Sequence, residues 1–278
     1  MVQWSKTFVS WVKDRTLFVS VVFSWDLPAV ERRFCLQRSM EFDRIVIGGP
    51  AIRAVPNYFS QYEFVTAGGD LDLAFKLHNK QATRTSIGCV RHCPHCGVDH
   101  IEGRFRLLKR FAPGNVLIDN NLTALPMNHF HRAMDHVDKY STRDNPGDIQ
   151  GVDVRFINEE HARRIKCARI NVLRIALDSF SYVDQWDRAL EILFAAGIPK
   201  RKIRSYALVA FDTDPGEGWK RCEHILKRGI KPLPMFYRPP DILDKNRITD
   251  NQEKMGWNDF ERRRIMQWFY QHKAAVKY

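Results

Sequence analysis

No stretch of the chain approaches the roughly 18 consecutive apolar residues that a bilayer-spanning helix needs, so no membrane partner is expected. Met1 to Asp14 mixes Trp4, Lys6, Trp11 and Lys13 into its apolar residues, and no apolar core with a small-residue cleavage site follows. A secretion signal is therefore not expected. Cysteine is scarce, six in 278 residues, and Cys89, Cys93 and Cys96 crowd into one short segment. A disulfide framework would spread its pairs through a small secreted chain. This distribution points instead to a reducing, cytoplasmic setting with one local metal site, and Cys35, Cys167 and Cys222 read as small buried hydrophobes. Also missing are internal repeats, low-complexity tracts, a glycine-rich phosphate loop, a nucleophile elbow and a zinc-protease motif, so no substrate can be named from such signatures. Acidic residues are outnumbered, 32 against 44 Lys and Arg, for a net charge of +12. The excess recurs in clusters: Arg104, Arg106, Lys109 and Arg110; Arg163, Arg164, Lys166 and Arg169; Lys200, Arg201, Lys202 and Arg204; Arg262, Arg263 and Arg264. Such a field attracts polyanions. The competing reading is solubility together with binding of anionic cofactor groups, because no nucleic-acid recognition motif accompanies the charge.

With hydrophobic residues at 44%, a sizeable core can form. Thr16 to Phe23 reads as a strand, Leu27 to Leu36 has helical spacing, and Arg44 to Ile47 is a short strand ended by Gly48, Gly49 and Pro50. These make a small α/β unit over residues 1–75, with a loose segment from Val55 to Thr83. From Thr83 the order becomes regular. Strands are expected at Thr83–Ile87, Asn115–Asp119, Val152–Phe156, Val172–Leu177, Ile203–Phe211 and Lys231–Tyr237. Helices are expected at Met127–Tyr140, Glu159–Ala168, from Val183 to Phe194 and around Trp219–Leu226. Pro232 and Pro234 confine the last strand to an edge. Alternation of this kind means a parallel sheet with covering helices, which occupies residues 76–240 and is able to curl into a partial barrel. A basic helical extension, with a helix over Asn258–His272, fills residues 241–278.

The densest chemistry is in Gly88-Cys89-Val90-Arg91-His92-Cys93-Pro94-His95-Cys96-Gly97, with spacing Cys-x3-Cys-x2-Cys. Three thiolates this close can wrap one compact centre, and soft sulfur selects zinc, copper or iron–sulfur clusters. A four-iron cubane held by three cysteines leaves one iron open to a small molecule. Zinc is the alternative. Cys93-x2-Cys96 is a half-site that His92, His95 or His100 could complete, but no second half-site exists, and His129 and His131 are poorly spaced for one.

The loop resembles the signature of the radical S-adenosylmethionine superfamily, and the resemblance extends over roughly Thr83 to Tyr237. It implies a partial (β/α)6 radical SAM barrel, preceded here by a small α/β N-terminal unit. It also implies a [4Fe-4S] cluster on Cys89, Cys93 and Cys96, with S-adenosyl-L-methionine as cosubstrate. In the family the backbone before the third cysteine meets the adenine, which places His95 there, where an aromatic is usual. Many members carry a Gly-Gly-Glu-like run after the second strand, against the methionine amino group. This chain has Asp119, Asn120 and Asn121 at that place, which implies a cosubstrate role for Asn120 and Asn121. An Asx-rich turn is the alternative. After the fourth strand, Arg174, Asp178 and Ser179 correspond by analogy to groups that meet the carboxylate and ribose. Glu102-Gly103 and the Asp-Asn-Asn run place the chain near the cobalamin-binding-domain-containing subgroup, and Ile45-Val46-Ile47-Gly48-Gly49-Pro50 looks like the end of such a domain. It is reduced here and lacks the cobalt-ligating motif.

Two functions of different class follow as expectations. The first is an enzyme in which a one-electron reductant, such as a flavodoxin or ferredoxin, drives reductive cleavage of S-adenosylmethionine and starts radical modification of a nucleic acid, peptide or small molecule. The second is a zinc-stabilised nucleic-acid-binding module without catalysis.

Overall fold

The computed structural model describes residues 8–36, 42–68 and 72–271. Trp4, Lys6 and His272 lie outside them. The chain divides into two compact units: Met1–Ala82 with His92–Arg104 and Arg238–Lys245, and Thr83–Arg91 with Phe105–Tyr237 and Asn246–Tyr278. Among the described residues no helix is long and apolar enough to cross a membrane.

The first unit is built on a four-stranded sheet of β1 (Phe8–Lys13), β2 (Thr16–Val21), β3 (Arg44–Gly48) and β4 (Val65–Ala67), in that order. β1 and β2 are antiparallel, while β2–β3 and β3–β4 are parallel. The β1–β2 turn is two residues long, and both Asp14 and Arg15 have positive φ (47° and 55°). That handedness matches the twist of a two-residue hairpin. β1 escapes a sequence reading because Trp11, Val12 and Lys13 are not a clean apolar run. Leu17, Val19, Val21, Ile45 and Ile47 form a core with Leu27, Val30 and Phe59. The expected helix at Leu27–Leu36 is composite, an α-turn over Leu27–Val30 that widens into a π-turn over Glu31–Leu36. The loose segment contains β4 and a helix over Asp72–His78. The short helix Val98–Glu102 packs against the helix Pro50–Ala54 in this unit.

The second unit is mixed α/β. Its strands are β5 (Ala82–Thr83, starting at the unit boundary), β6 (Ser86–Ile87), β7 (Arg106–Leu107), β8 (Val116–Leu117), β9 (Gly147–Ile149), β10 (Ile170–Ala176), β11 (Ile203–Val209) and β12 (Lys231–Phe236). Six of them form one sheet in the order β12-β11-β10-β9-β8-β5, and the pairs from β8 to β12 are parallel. Apart from β6 and β7, which pair with each other, the order across the sheet is the order along the chain. No crossover reverses direction, unlike the doubly wound sheets, whose strand order turns back on itself.

Helices Met127–Tyr140, Glu159–Cys167, Val183–Ala195 and Pro215–Lys227 join successive strands and contribute to one continuous core. Leu173, Ile175 and Leu177 of the β10 segment belong to it, as do Ile203, Ala207 and Val209 of β11. Residues of the other parity, including Arg174 and Tyr206, are half-buried on the opposite sheet face. Buried Trp186 donates to Ser205 Oγ at 3.1 Å, and buried Trp257 donates to the Thr213 carbonyl at 2.6 Å, so both indoles satisfy their N–H.

Two expectations are corrected. The third strand is Gly147–Ile149, and Val154–Phe156 is instead a 3-10 turn. Asp153 causes the turn, because its carboxylate accepts from Arg155 N at 3.1 Å while its carbonyl accepts from Phe156 N at 3.1 Å. The expected strand Thr83–Ile87 is broken: Thr83 ends β5, and Ser86–Ile87 pairs antiparallel with β7. β12 is an edge strand, as its prolines require.

Candidate functional site

In the parallel sheet the carboxyl ends of β8 to β12 share one rim, where Asn120 and Asn121 follow β8 and Asp178 and Ser179 follow β10, while Arg174 lies within β10. The segment Thr85–Gly88, which runs into Cys89, is fastened to the exit of β8. Asp119 is 2% exposed. Its Oδ1 accepts from Thr85 N (3.0 Å), Thr85 Oγ1 (2.9 Å) and Ser86 Oγ (2.5 Å), and its Oδ2 accepts from Thr85 N at 3.1 Å. Burial pushes the Asp119 carboxyl above its ordinary range, and the hydrogen bonds from Ser86 and Thr85 oppose that shift. Asn120 Nδ2 donates to the Gly88 carbonyl at 3.2 Å. Buried His129 places Nε2 at 2.9 Å from the Thr85 carbonyl. Gly151 closes the rim below. Its φ is +68°, and a Cβ there would lie 2.0 Å from the Asp119 carbonyl oxygen.

Of the three cysteines, Cys89 lies in the second unit and Cys93 and Cys96 in the first. Cys89 and Cys93 are half-buried and Cys96 is exposed. Cys89 Sγ accepts from Arg91 N at 3.4 Å, and Cys96 N closes a turn onto the Cys93 carbonyl at 2.9 Å. None of the six cysteines forms a disulfide; Cys35 and Cys222 are buried as expected, but Cys167, at the end of the helix Glu159–Cys167, is exposed. Three thiols within one short segment are the donor chemistry of a thiolate-held cluster, and on that ground the residues fit one. Among the described residues no three His, Cys, Asp or Glu side chains are gathered in a group able to hold a metal ion.

The remaining candidates divide. Asn121 is buried and spends its side chain on the protein, accepting from Ala124 N at 3.1 Å and donating to Asp153 Oδ2 at 3.1 Å. That is the Asx-turn chemistry of a capping residue. Arg174 is half-buried and ion-paired with Asp148 of the neighbouring strand β9. Its charge is thereby balanced within the sheet, and a carboxylate ligand would have to share it. Asp178 and Ser179 follow β10 at the rim. The Asp178 N–H donates to Tyr182 Oη at 2.6 Å, and Ser179 Oγ accepts from Ser181 N at 3.1 Å. His95 is half-buried. His92 Nδ1 lies 2.6 Å from Asp99. His129 and His131 do not form a pair: the first contacts Thr85 and the second lies 2.8 Å from Glu160.

Sequence reasoning missed the supporting groups: Asp148, Asp153, His129 and, most of all, Arg221. Arg221 is 1% exposed, donates to the Asp178 carbonyl at 2.6 Å and pairs with Glu217 at 2.9 Å. Its only sequence signal is the Glu–Arg spacing of four on one helix face. At the C-terminal helix the arginines are engaged by its own acids: Arg262 and Arg263 with Asp259, and Arg264 with Glu261. Trp257 is core, and Trp268 packs edge-on against Trp219 with ring centroids 5.4 Å apart.

The sequence matches no family model and no curated protein.

Proposed function

We propose that this chain is a radical S-adenosylmethionine enzyme whose sheet is the wall of a partial (β/α)6 barrel, with a reduced α/β unit at its N-terminus. The observation that carries the reading is a conjunction. A Cys-x3-Cys-x2-Cys segment follows β5, the first strand of a six-stranded sheet whose strands succeed one another in chain order, with only the short β6 between that strand and the segment. With right-handed crossovers, an unreversed order puts every connecting helix on one face. The other face, carrying Asp148, Arg174 and Tyr206, is then the interior of a curled sheet, where a substrate is held away from water.

In this reading Cys89, Cys93 and Cys96 hold a [4Fe-4S] cluster with one iron open to S-adenosylmethionine. When bound, the cluster supplies one electron for reductive cleavage of the cosubstrate. The chain's own residues do the positioning. Asp119, Asn120 and His129 hold the backbone that leads to Cys89. Asp178 and Ser179 stand at the rim where a ribose would lie, and Arg174 offers a guanidinium shared with Asp148. Binding requires the thiols to lose their protons and draw together, so metal loading is coupled to ordering of the segment.

Anaerobic reconstitution tests this. The expected outcome is about four irons and four sulfides per chain, as a cubane requires, together with 5′-deoxyadenosine from S-adenosylmethionine when a reductant is added. Alanine at Cys89, Cys93 or Cys96 abolishes both, and alanine at Cys167 abolishes neither. Stoichiometric zinc with no iron, in protein made anaerobically with iron supplied, overturns the proposal.

A further inference from the structure

The amino ends of the parallel strands make the opposite rim of the second unit, and positive charge collects there with no carboxylate in the clefts between them. Arg143 precedes β9, Arg169 immediately precedes β10, and Lys200, Arg201 and Lys202 immediately precede β11. Two clefts open between these strand starts. One, of about 550 Å3, is lined by Arg143, Arg169 and Lys202, and the other, of about 180 Å3, by Lys166, Arg201 and Lys202. Ile170 and Lys202 belong to both walls, so the clefts join into one trough, and no carboxylate lines either.

Several arginines of this chain are matched by carboxylates. Arg164 is paired with Asp135 and Asp138, Arg228 with Asp187 and Glu191, and Arg262 and Arg263 with Asp259. The guanidiniums of Arg143, Arg169 and Arg201 have no ion pair among the described residues. Asp138 already serves Arg164 and the Arg169 backbone N–H, and Asp144 sits in the same loop as Arg143 but lines neither cleft. Two of the cations are also pinned. Lys202 Nζ donates to the Ile170 carbonyl at 2.9 Å, and Lys166 Nζ donates to the Gly197 carbonyl at 2.6 Å. Burial, then the neighbouring charges of Arg201 and Lys166, push the Lys202 ammonium below its ordinary range. Like charges held side by side without a counterion cost free energy that a bound polyanion recovers.

We propose that this trough is a docking surface for the sugar–phosphate backbone of a nucleic acid. The strand starts are spaced at about 4.8 Å, so the three arginines project from a row in which planar guanidiniums can grip successive phosphates bidentately. The contact is to phosphate and not to bases, so it is independent of sequence and steeply dependent on salt. It lies at the far end of the strands from the residues that follow their carboxyl ends. The docking surface does not rest on the cluster proposal.

The test uses the full chain and fluorescent 20-mers of oligo-U and oligo-dT, titrated by anisotropy across a salt series. The matched variants are Arg143→Ala/Arg169→Ala/Arg201→Ala and Arg262→Ala/Arg263→Ala/Arg264→Ala, which remove the same charge from the trough and from the C-terminal helix. Losing three phosphate contacts on a single strand should flatten the log–log salt slope by about 2.1. That corresponds to roughly hundredfold weaker binding near 0.1 M salt for the trough variant. The helix variant should keep the parental slope, and both oligomers should behave alike. Equal losses in the two variants would reduce the effect to net charge and overturn the proposal. So would absence of binding at low salt. Trough-dependent binding to phosphatidylserine vesicles with oligonucleotide binding unaffected would overturn it in favour of a membrane surface.

Discussion

Replacing Asp119 by alanine removes the acceptor that ties the approach to the cysteine segment onto β8. Three donors lose their partner: the Thr85 N–H, the Thr85 hydroxyl and the Ser86 hydroxyl. The hydroxyls can rotate toward other acceptors, but the N–H cannot. Each buried group left unsatisfied costs about 1–3 kcal/mol. The site is 2% exposed, so water does not replace the carboxylate without opening the structure. Allowing one donor at full cost and two at reduced cost gives a loss of about 3–5 kcal/mol, at the upper end for a single substitution. Asp119→Asn keeps an oxygen at the Oδ1 position, where three of the four contacts converge, but sets an amide against Thr85 N at the Oδ2 position. Its expected loss is about 1–2 kcal/mol. Urea titrations followed by tryptophan fluorescence measure both. Limited trypsinolysis supplies a local readout, since Arg91 is exposed just beyond the latch and should be cut faster in the alanine variant. A loss below about 1 kcal/mol for alanine, with unchanged cleavage after Arg91, would refute the reasoning that Asp119 holds this segment.

Gly151→Ala should lower stability by about 3 kcal/mol or more, because φ is +68° and the new methyl would meet the Asp119 carbonyl oxygen at 2.0 Å. A melting temperature within about 2 °C of the parent would contradict this. Burial, and secondarily Glu31, push the Cys35 thiol up to about 11, and burial pushes Cys222 up to about 12. A raised thiol pKa keeps the neutral, unreactive form at pH 8. Brief iodoacetamide treatment of the metal-free native protein at that pH should therefore mark exposed Cys167 and Cys96 and spare Cys35 and Cys222 by mass spectrometry. Labelling of Cys222 as fast as Cys167 would show that its pocket opens readily.

The helices were the most legible part of the fold. Met127–Tyr140 matches the expected bounds, and Val183–Ala195 follows its 3.6-residue pattern to within a residue. Long amphipathic segments average over local conflict, and short strands do not. β9 has only Gly147, Asp148 and Ile149, with no β-branched run, while Val152 and Val154 mimic an alternating strand because both are core residues around an Asp153 turn. The hairpin turn Asp14-Arg15 was hidden because an Asp-Arg pair lacks the glycine that usually announces positive φ. The cysteine segment was readable from spacing alone. Its supports were not, because Thr85, Asp119 and His129 are more than thirty positions apart in part and meet only through the parallel register. Asn121 shows the limit of motif position: the same placement suits a ligand contact or a cap, and the distances to Ala124 and Asp153 describe a cap.

β12 is where the parallel sheet stops, and its two prolines decide how it stops. Tyr237 N donates to the Val209 carbonyl, so odd-numbered residues of this stretch point their N–H toward β11 and even-numbered ones point outward. Pro232 and Pro234 are therefore both on the outer side and remove two successive donors from it. A strand from another molecule arriving at that edge would find carbonyls with no amides between them over most of its length. The rim is thus protected against edge-to-edge self-association by covalent structure, with no need for a covering helix or a row of lysines. Replacing both prolines would leave the inner ladder intact and make the outer edge competent to pair, turning a terminus into a point of growth.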